Sequence, residues 1–332
     1  MYNINSIYSK DKKKHPVFIT AEIGINHQGN ADFAKHLIEK AWESGADAVK
    51  FQVYKTEKFY NRDLAPKAFE MFKSFELSFD EYYKLCEFSN SLGLIFYATP
   101  FDNDSLDFLL QIGTPIVKVA SSDITNEPFL NYIAEKSPVS GFLTILSTGF
   151  VRLAEIDSAV HIFRSRPFAV LYCVSKYPVK PEEIDLKIIA ILRERYNASA
   201  GFSDHSMGIT LSLGAVALGA SLIERHFTTD RSIPGADHSI SLEPAMFKSM
   251  VDGIRDIEKA SSTGDKKITD FEKQTKYMSM RGMYASRKIM KGEIIRKGDV
   301  IMLRPGDGVK LSEYKKLLNR KAARDILLYE KI

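Results

Sequence analysis

Apolar and polar positions along this chain fall into two alternating kinds of segment. Short runs rich in β-branched and aromatic residues recur, and most are followed by a stretch with helical periodicity. The runs are VFITAE (Val17–Glu22), ADAVKFQ (Ala46–Gln52), LIFYATP (Leu94–Pro100), PIVKVAS (Pro115–Ser121), FLTILST (Phe142–Thr148), FAVLYCV (Phe168–Val174), SAGFSDH (Ser199–His205) and SLIERHF (Ser221–Phe227). Their interiors are apolar at consecutive positions, as expected of parallel strands covered on both faces. Ala31–Ser44 sets Phe33, Ala34, Leu37, Ile38 and Ala41 on one side of a helix, and Gly45 suits the position just past its end. Phe79–Leu92, Ser105–Gln111, Arg152–Arg164 and Leu186–Tyr196 repeat this pattern. Thr210–Leu218 is apolar nearly all round, which predicts a buried helix.

Eight β–α units between Val17 and about Ala260 predict an α/β fold, a (β/α)8 TIM barrel filling residues 1–260. A doubly wound sheet is the alternative, weakened because the chain lacks a G-x-G-x-x-G nucleotide fingerprint. The polar stretch 261–280, SSTGDKKITDFEKQTKYMSM, reads as a linker. Residues 281–332 form a turn-rich unit with Lys291-Gly292, Lys297-Gly298 and Pro305-Gly306-Asp307-Gly308. A unit that small is marginal alone and is expected to lean on a partner surface.

Composition narrows the compartment and the class. At 332 residues, 45% hydrophobic and 27% charged, the chain has an ordinary globular mix. No stretch approaches the apolar length of a membrane span. The start, MYNINSIYSKDKKKHP, is polar and basic with no apolar segment behind it, so no secretory signal is expected. Only Cys86 and Cys173 occur, not as C-x-x-C, which points away from a disulfide framework and towards the cytoplasm. The net charge of +4 hides an asymmetry: from Arg281 onward fourteen Lys/Arg face six Asp/Glu. That excess fits a solvated basic face, or one that meets an anionic substrate or an acidic partner. No aromatic-basic or zinc-finger pattern accompanies it, so nucleic acid is not the expected partner.

Catalytic groups of a TIM barrel gather at the C-terminal ends of its strands, and every predicted strand here ends in polar residues. The ends carry Glu22; Lys50 and Gln52; Thr99; Lys118, Ser121 and Asp123; Ser147; Ser175 and Tyr177; Ser203, Asp204 and His205; and Glu224, Arg225 and His226. Lys50 and Lys118 sit inside apolar runs, where an unpaired ammonium is costly. They read as partners of buried carboxylates, as a Schiff-base nucleophile, or as anion binders. The hydroxyls on neighbouring strand ends favour anion binding. His205 and His226 end adjacent strands, and two converging imidazoles suit a divalent ion such as Mn2+, with zinc also compatible. His27 and His238 are weaker candidates because they fall in loops.

Taken together, Glu22-Ile23-Gly24-Ile25-Asn26-His27, Lys50-Phe51-Gln52, Thr99-Pro100-Phe101, Leu146-Ser147-Thr148-Gly149, Phe202-Ser203-Asp204-His205-Ser206, Glu224-Arg225-His226-Phe227-Thr228 and Pro234-Gly235-Ala236-Asp237-His238 resemble the sialic acid synthases. That family includes N-acetylneuraminate, legionaminate and pseudaminate synthases and a spore-coat polysaccharide branch. Tyr284-Ala285-Ser286-Arg287-Lys288-Ile289 and Leu303-Arg304-Pro305-Gly306-Asp307-Gly308 look like its C-terminal antifreeze-like (SAF) domain. The resemblance runs from Val17 to the end of the chain.

It implies a cytoplasmic transferase that condenses phosphoenolpyruvate with an N-acylated amino sugar and releases phosphate. Lys50, Thr99, Lys118, Ser121, Ser147 and Ser203 match positions that hold phosphoenolpyruvate, and Gln52 and Ser175 are further substrate-binding candidates. His205 and His226 match ligands of a divalent metal, Mn2+ first and Mg2+ or Co2+ as alternatives. Glu22, Tyr177 and Asp237 match positions near the sugar. Arg304 matches an arginine donated to the partner's site in a domain-swapped homodimer. Glu22 and Asp123 are the implied catalytic carboxylates, alongside His205 and His226. Asp123 stands where N-acetylneuraminate synthases usually carry Glu, and Ser175 where they tend to carry Asn, so the legionaminate, pseudaminate and spore-coat branches are alternatives to an N-acetylneuraminate-type synthase. Lower in rank are a 3-deoxy-keto acid phosphate synthase, which would need more strand-end arginines than Arg225, and a non-catalytic carbohydrate-binding protein.

Overall fold

A computed structural model describes residues 16–137, 141–261 and 264–332. The basic start read above, residues 1–15, lies outside this range, as do positions 262 and 263 of the expected linker. The chain divides into two compact units, Met1–Ser262 and Thr263–Ile332.

The first unit is a closed barrel of eight parallel strands in sequence order. They are β1 (Phe18–Gly24), β2 (Ala48–Val53), β3 (Ile95–Pro100), β4 (Ile116–Val119), β5 (Leu143–Ser147), β6 (Phe168–Tyr172), β7 (Ser199–Asp204) and β8 (Leu222–His226). The seam closes where β1 pairs with β8, with Phe18 opposite Leu222 and Glu22 opposite His226. Each apolar run became a strand because both faces are used. Outward residues such as Ile19, Ala21, Val49, Val117 and Phe202 pack under the helices. Inward residues Phe18, Ala48, Tyr97, Ile116, Leu143, Ile145, Ala169, Leu171 and Leu222 fill the barrel's interior.

The helices follow the expected stripes. Ala31–Glu43 buries Ala34, Leu37, Ile38 and Ala41, is capped by Asn30, and is followed by Gly45 at φ 84°. Phe79–Ser91 opens on a Ser78/Glu81 capping box. Thr210–Ala217 departs from its expectation: only Ser212, Ala215 and Val216 are buried, and Leu218 beyond it is 49% exposed. A barrel helix has one face towards the strands, so even an apolar sequence is buried there on one side only. Pro66–Phe75, Glu127–Lys136 and Pro244–Ala260 are helices that the sequence reading did not assign. Among the described residues no helix is long and apolar enough to cross a membrane.

The second unit holds an antiparallel pair, β9 (Gly282–Ala285) and β10 (Val300–Leu303), around a small core of Ala285, Ile289, Ile295, Ala322 and Ile326. The stretch read as a linker contains a helix, Asp270–Ser279. It starts at a Thr269/Glu272 capping box, a signal present in the polar sequence.

Candidate active site

Side chains alternate across a strand with period two. In this barrel that rule stacks polar groups above the apolar interior. Thr20 Oγ1 and the Tyr97 hydroxyl meet at 2.9 Å just above it. One step further along the same inward registers stand Glu22, Lys50, Gln52, Thr99, Lys118, Ser147, Ser203, Glu224 and His226. They line a cavity of about 360 Å3, together with Ser121, Ser175, Tyr177 and His205. The cavity lies at the C-terminal ends of the strands, and its mouth also touches Phe59, Tyr60, Phe101 and Phe150.

A four-membered charge cluster forms the floor. Lys50 Nζ lies 2.9 Å from Glu22 Oε2 and 3.7 Å from Glu224 Oε2, and donates to Thr99 Oγ1 at 3.2 Å. Lys118 Nζ lies 3.3 Å from Glu224 Oε1, which also accepts from Ser203 Oγ at 2.9 Å. Both lysines are therefore paired with buried carboxylates, and both still face the cavity among hydroxyls. The arrangement meets the bridging reading of these lysines and leaves both ammonium groups lining the cavity.

Burial raises the carboxyl pKa of Glu22 more than Lys50 lowers it. Burial also works against charge on Glu224, but Lys118, Lys50 and the Ser203 hydroxyl together hold it below the usual carboxylate range. Glu224 was read only as part of the polar end of β8, with no role of its own. Its partner Lys118 is 106 positions away, so no local spacing revealed it. The available signal was its register, two residues before His226.

His205 and His226 do converge, with ring centroids 5.5 Å apart. His205 Nδ1 donates to the Val174 carbonyl at 2.8 Å, which fixes its tautomer and leaves Nε2 as an acceptor or ligand atom. Burial pushes His205 down to about 4. Burial, with Lys50 nearby, pushes His226 to about 3, so both rings are neutral as ligation requires. His226 Nδ1 is buried without a hydrogen bond and lies 3.5 Å from Asp237 Oδ2. Two neutral imidazoles, one with an orphaned nitrogen, fit a borderline divalent ion. Among the described residues no group of three or more His, Cys, Asp or Glu is arranged to hold one. The Tyr177 ring leans on both, 4.2 Å from the His205 centroid and 5.8 Å from that of His226.

Asn26 ties the turn after β1 to the loop after β8. Its Nδ2 donates to the Phe227 carbonyl at 2.9 Å and to Ser241 Oγ at 3.0 Å. Its Oδ1 accepts from the Asp237 backbone N–H at 2.9 Å. Asp237 is held beside His226 by that clasp. The end of β5 is equally constrained. Gly149 N donates to Ser121 Oγ at 3.0 Å, and a Cβ on Gly149 would collide with Ser175 Oγ and come within 2.8 Å of Ser121 Oγ.

Other expected residues lie elsewhere. Asp123 sits in a short 3-10 turn, Ser121–Asp123, and does not line the cavity; its carboxylate accepts from Ser122 Oγ and Asn126 Nδ2. Arg225 points out of the barrel, 2.9 Å from Asp204, in the register opposite to Glu224 and His226. His27 is buried between Phe51 and Tyr82, and His238 accepts from or donates to Thr228 Oγ1 at 2.7 Å; neither lines the cavity. Arg304 is exposed, just after β10 in the second unit.

Comparison with known proteins follows the same lines. Residues 37–266 match the model of the NeuB family, and residues 281–327 match that of the SAF domain. The chain is 37% identical to N,N'-diacetyllegionaminic acid synthase of Legionella pneumophila, covering 95% of this chain and 94% of that protein. It is 35% identical to pseudaminic acid synthase of Campylobacter jejuni, covering 96% and 95%. Among solved structures, it resembles the N-acetylneuraminic acid (sialic acid) synthetase of Leptospira borgpetersenii in complex with citrate. That match has a TM-score of 0.73 and 38% identity, over 78% of this chain and 90% of the other.

Proposed function

The chain belongs to the NeuB family, and from that premise we propose that it condenses phosphoenolpyruvate with an N-acylated amino sugar to give a sialic-acid-type sugar and phosphate. The observation that carries this reading is the floor of the cavity, where two lysines, a ring of hydroxyls and two neutral imidazoles share about 360 Å3. Lys50 and Lys118, with Thr99, Ser121, Ser147, Ser175 and Ser203, would hold the phosphate and carboxylate of phosphoenolpyruvate. In doing so they would loosen from Glu22 and Glu224. His205 and His226 would hold the divalent metal on which this family depends, Mn2+ by preference, and bound there it would polarise the sugar aldehyde as a Lewis acid. Glu22, Gln52, Tyr177 and Asp237 would hold the open-chain sugar so that its C1 faces the methylene carbon of phosphoenolpyruvate.

The chemistry balances without a redox partner. The methylene carbon of phosphoenolpyruvate forms a bond to C1 of the sugar, whose carbonyl oxygen becomes a hydroxyl. Water adds to the former C2 of phosphoenolpyruvate, and the bond from that carbon to the phosphate oxygen breaks. A carboxylate must take the water's proton. Glu22 and Glu224 line the cavity, whereas Asp123 would first have to leave Ser122 and Asn126.

The test is phosphate release from phosphoenolpyruvate with Mn2+, comparing N-acetylmannosamine with 2,4-diacetamido-6-deoxy sugars. Release with N-acetylmannosamine as the better substrate makes this an N-acetylneuraminate-type enzyme. Release only with the diacetamido sugars makes it a legionaminate- or pseudaminate-type enzyme. Release with neither overturns the proposal. The cytoplasm is the proposed compartment, in keeping with two free buried thiols, Cys86 and Cys173.

Two further outcomes are expected. Gly149→Ala should push Ser121 and Ser175 apart and raise KM for phosphoenolpyruvate by about tenfold or more; steady-state kinetics with an unchanged KM would contradict the cradle. A chain ending after Ala260 should fold but lose turnover, because Arg304 would act in the partner's site of a domain-swapped dimer. Full activity of that truncation would remove Arg304 and the swapped dimer from the mechanism.

A further inference from the structure

The floor of the cavity is charged, but its mouth is aromatic. Phe59, Tyr60, Phe101, Phe150 and Tyr177 all border it. Four of these have company: Phe59 lies tilted against Phe101 at 4.2 Å and meets Tyr60 edge-on at 4.6 Å, and Tyr177 leans on His205. Phe150 differs. The residue is 79% exposed, and its backbone has φ 66°, a left-handed conformation unfavourable for a bulky side chain. An exposed phenyl on a strained backbone gains nothing for the fold, and such residues concentrate at functional sites.

The conformation follows from its neighbours. Thr148 Oγ1 donates to the Leu171 carbonyl, and Gly149 is pinned by Ser121 and leaves no room for a Cβ. The chain turns sharply as it leaves β5, and the turn places Phe150 at the cavity's edge.

Resting on the function proposed above, we infer that Phe150 is a specificity-determining residue that packs on the far end of the amino sugar and selects a deoxygenated carbon there. The reacting C1 must lie on the floor beside the histidines and lysines. The opposite end, C6, then points to the mouth. A C6 hydroxyl placed against Phe150 would lose water without gaining a partner, whereas a C6 methyl would bury apolar surface on both sides.

The experiment measures phosphate release with two probes that differ by one oxygen, N-acetylmannosamine and its 6-deoxy analogue. The wild type is compared with Phe150→Asn, which tolerates the left-handed backbone but removes the ring. The wild type should prefer the 6-deoxy sugar. The variant should lose about tenfold in kcat/KM for that sugar, mainly through KM, and much less for the hydroxylated one, with KM for phosphoenolpyruvate unmoved. Equal losses for both sugars, or a shifted KM for phosphoenolpyruvate, would assign Phe150 a structural role and overturn the inference. Unchanged selectivity would overturn it too. Absence of release by the wild type with both probes would overturn the inference, and the function beneath it would fall only if the 2,4-diacetamido-6-deoxy sugars also gave no release. Release with an altered sugar but no Phe150 effect would leave the function standing alone.

Discussion

Replacing His226 with alanine is expected to lower phosphate release by about a thousandfold or more while leaving the barrel folded. The reason is that, on the function proposed above, the ring contributes chemistry rather than charge to the fold. Its pKa of about 3 keeps it neutral, and its Nδ1 has no hydrogen bond to lose. That nitrogen lies 3.5 Å from Asp237 Oδ2. Losing one of two protein ligands would weaken the metal and forfeit the several kcal/mol that a Lewis acid supplies at a developing alkoxide. Circular dichroism and thermal melting should stay close to wild type, while Mn2+ titration should weaken strongly. A folded variant with wild-type turnover would refute the metal assignment.

Arg225→Met is expected to act in the opposite way, on stability before chemistry. Arg225 is 1% exposed and sits 2.9 Å from Asp204, in adjacent strands with matching register. Asp204 also accepts from the Ser206 N–H at 2.8 Å and Ser212 Oγ at 2.6 Å. Removing the guanidinium leaves a buried carboxylate with two neutral donors and no cation. Breaking one side of such a pair costs about 3–5 kcal/mol, a large share of the roughly 5–15 kcal/mol that holds a typical domain. Urea denaturation would register the loss, and Asp204→Asn added to Arg225→Met should recover part of it. A midpoint unchanged from wild type would mean that Ser206 and Ser212 alone satisfy Asp204.

These two residues are neighbours in sequence and show where sequence reading works and where it stops. All eight strands were legible, because parallel strands covered on both faces need unbroken apolar runs. The cavity residues were legible because polar groups at strand ends have few other uses. Facing and pairing were less so. Arg225 looked like a strand-end site residue, but the register turns it outward. Glu224 looked like its companion and belongs inside, joined to a lysine four strands earlier. Asp123 was expected at the reacting atoms, yet local donors Ser122 and Asn126 hold it in its own turn. The helix Asp270–Ser279 was hidden in a polar stretch, since none of its residues is buried and no apolar stripe marks it.

The seam between β1 and β8 has a consequence for how the protein comes into being. Glu22 meets His226 only when the barrel closes, and Asn26 reaches Phe227, Asp237 and Ser241 across more than 200 residues. As the chain leaves the ribosome, its first strand must wait, unpaired on one edge, until the eighth has emerged. Contacts this distant in sequence form slowly, and exposed strand edges invite wrong partners meanwhile. No nascent fragment can hold a half-active centre, because the two ends of the barrel's chain each bring part of it. The barrel's own share of the centre is thus assembled in a single late event, at ring closure.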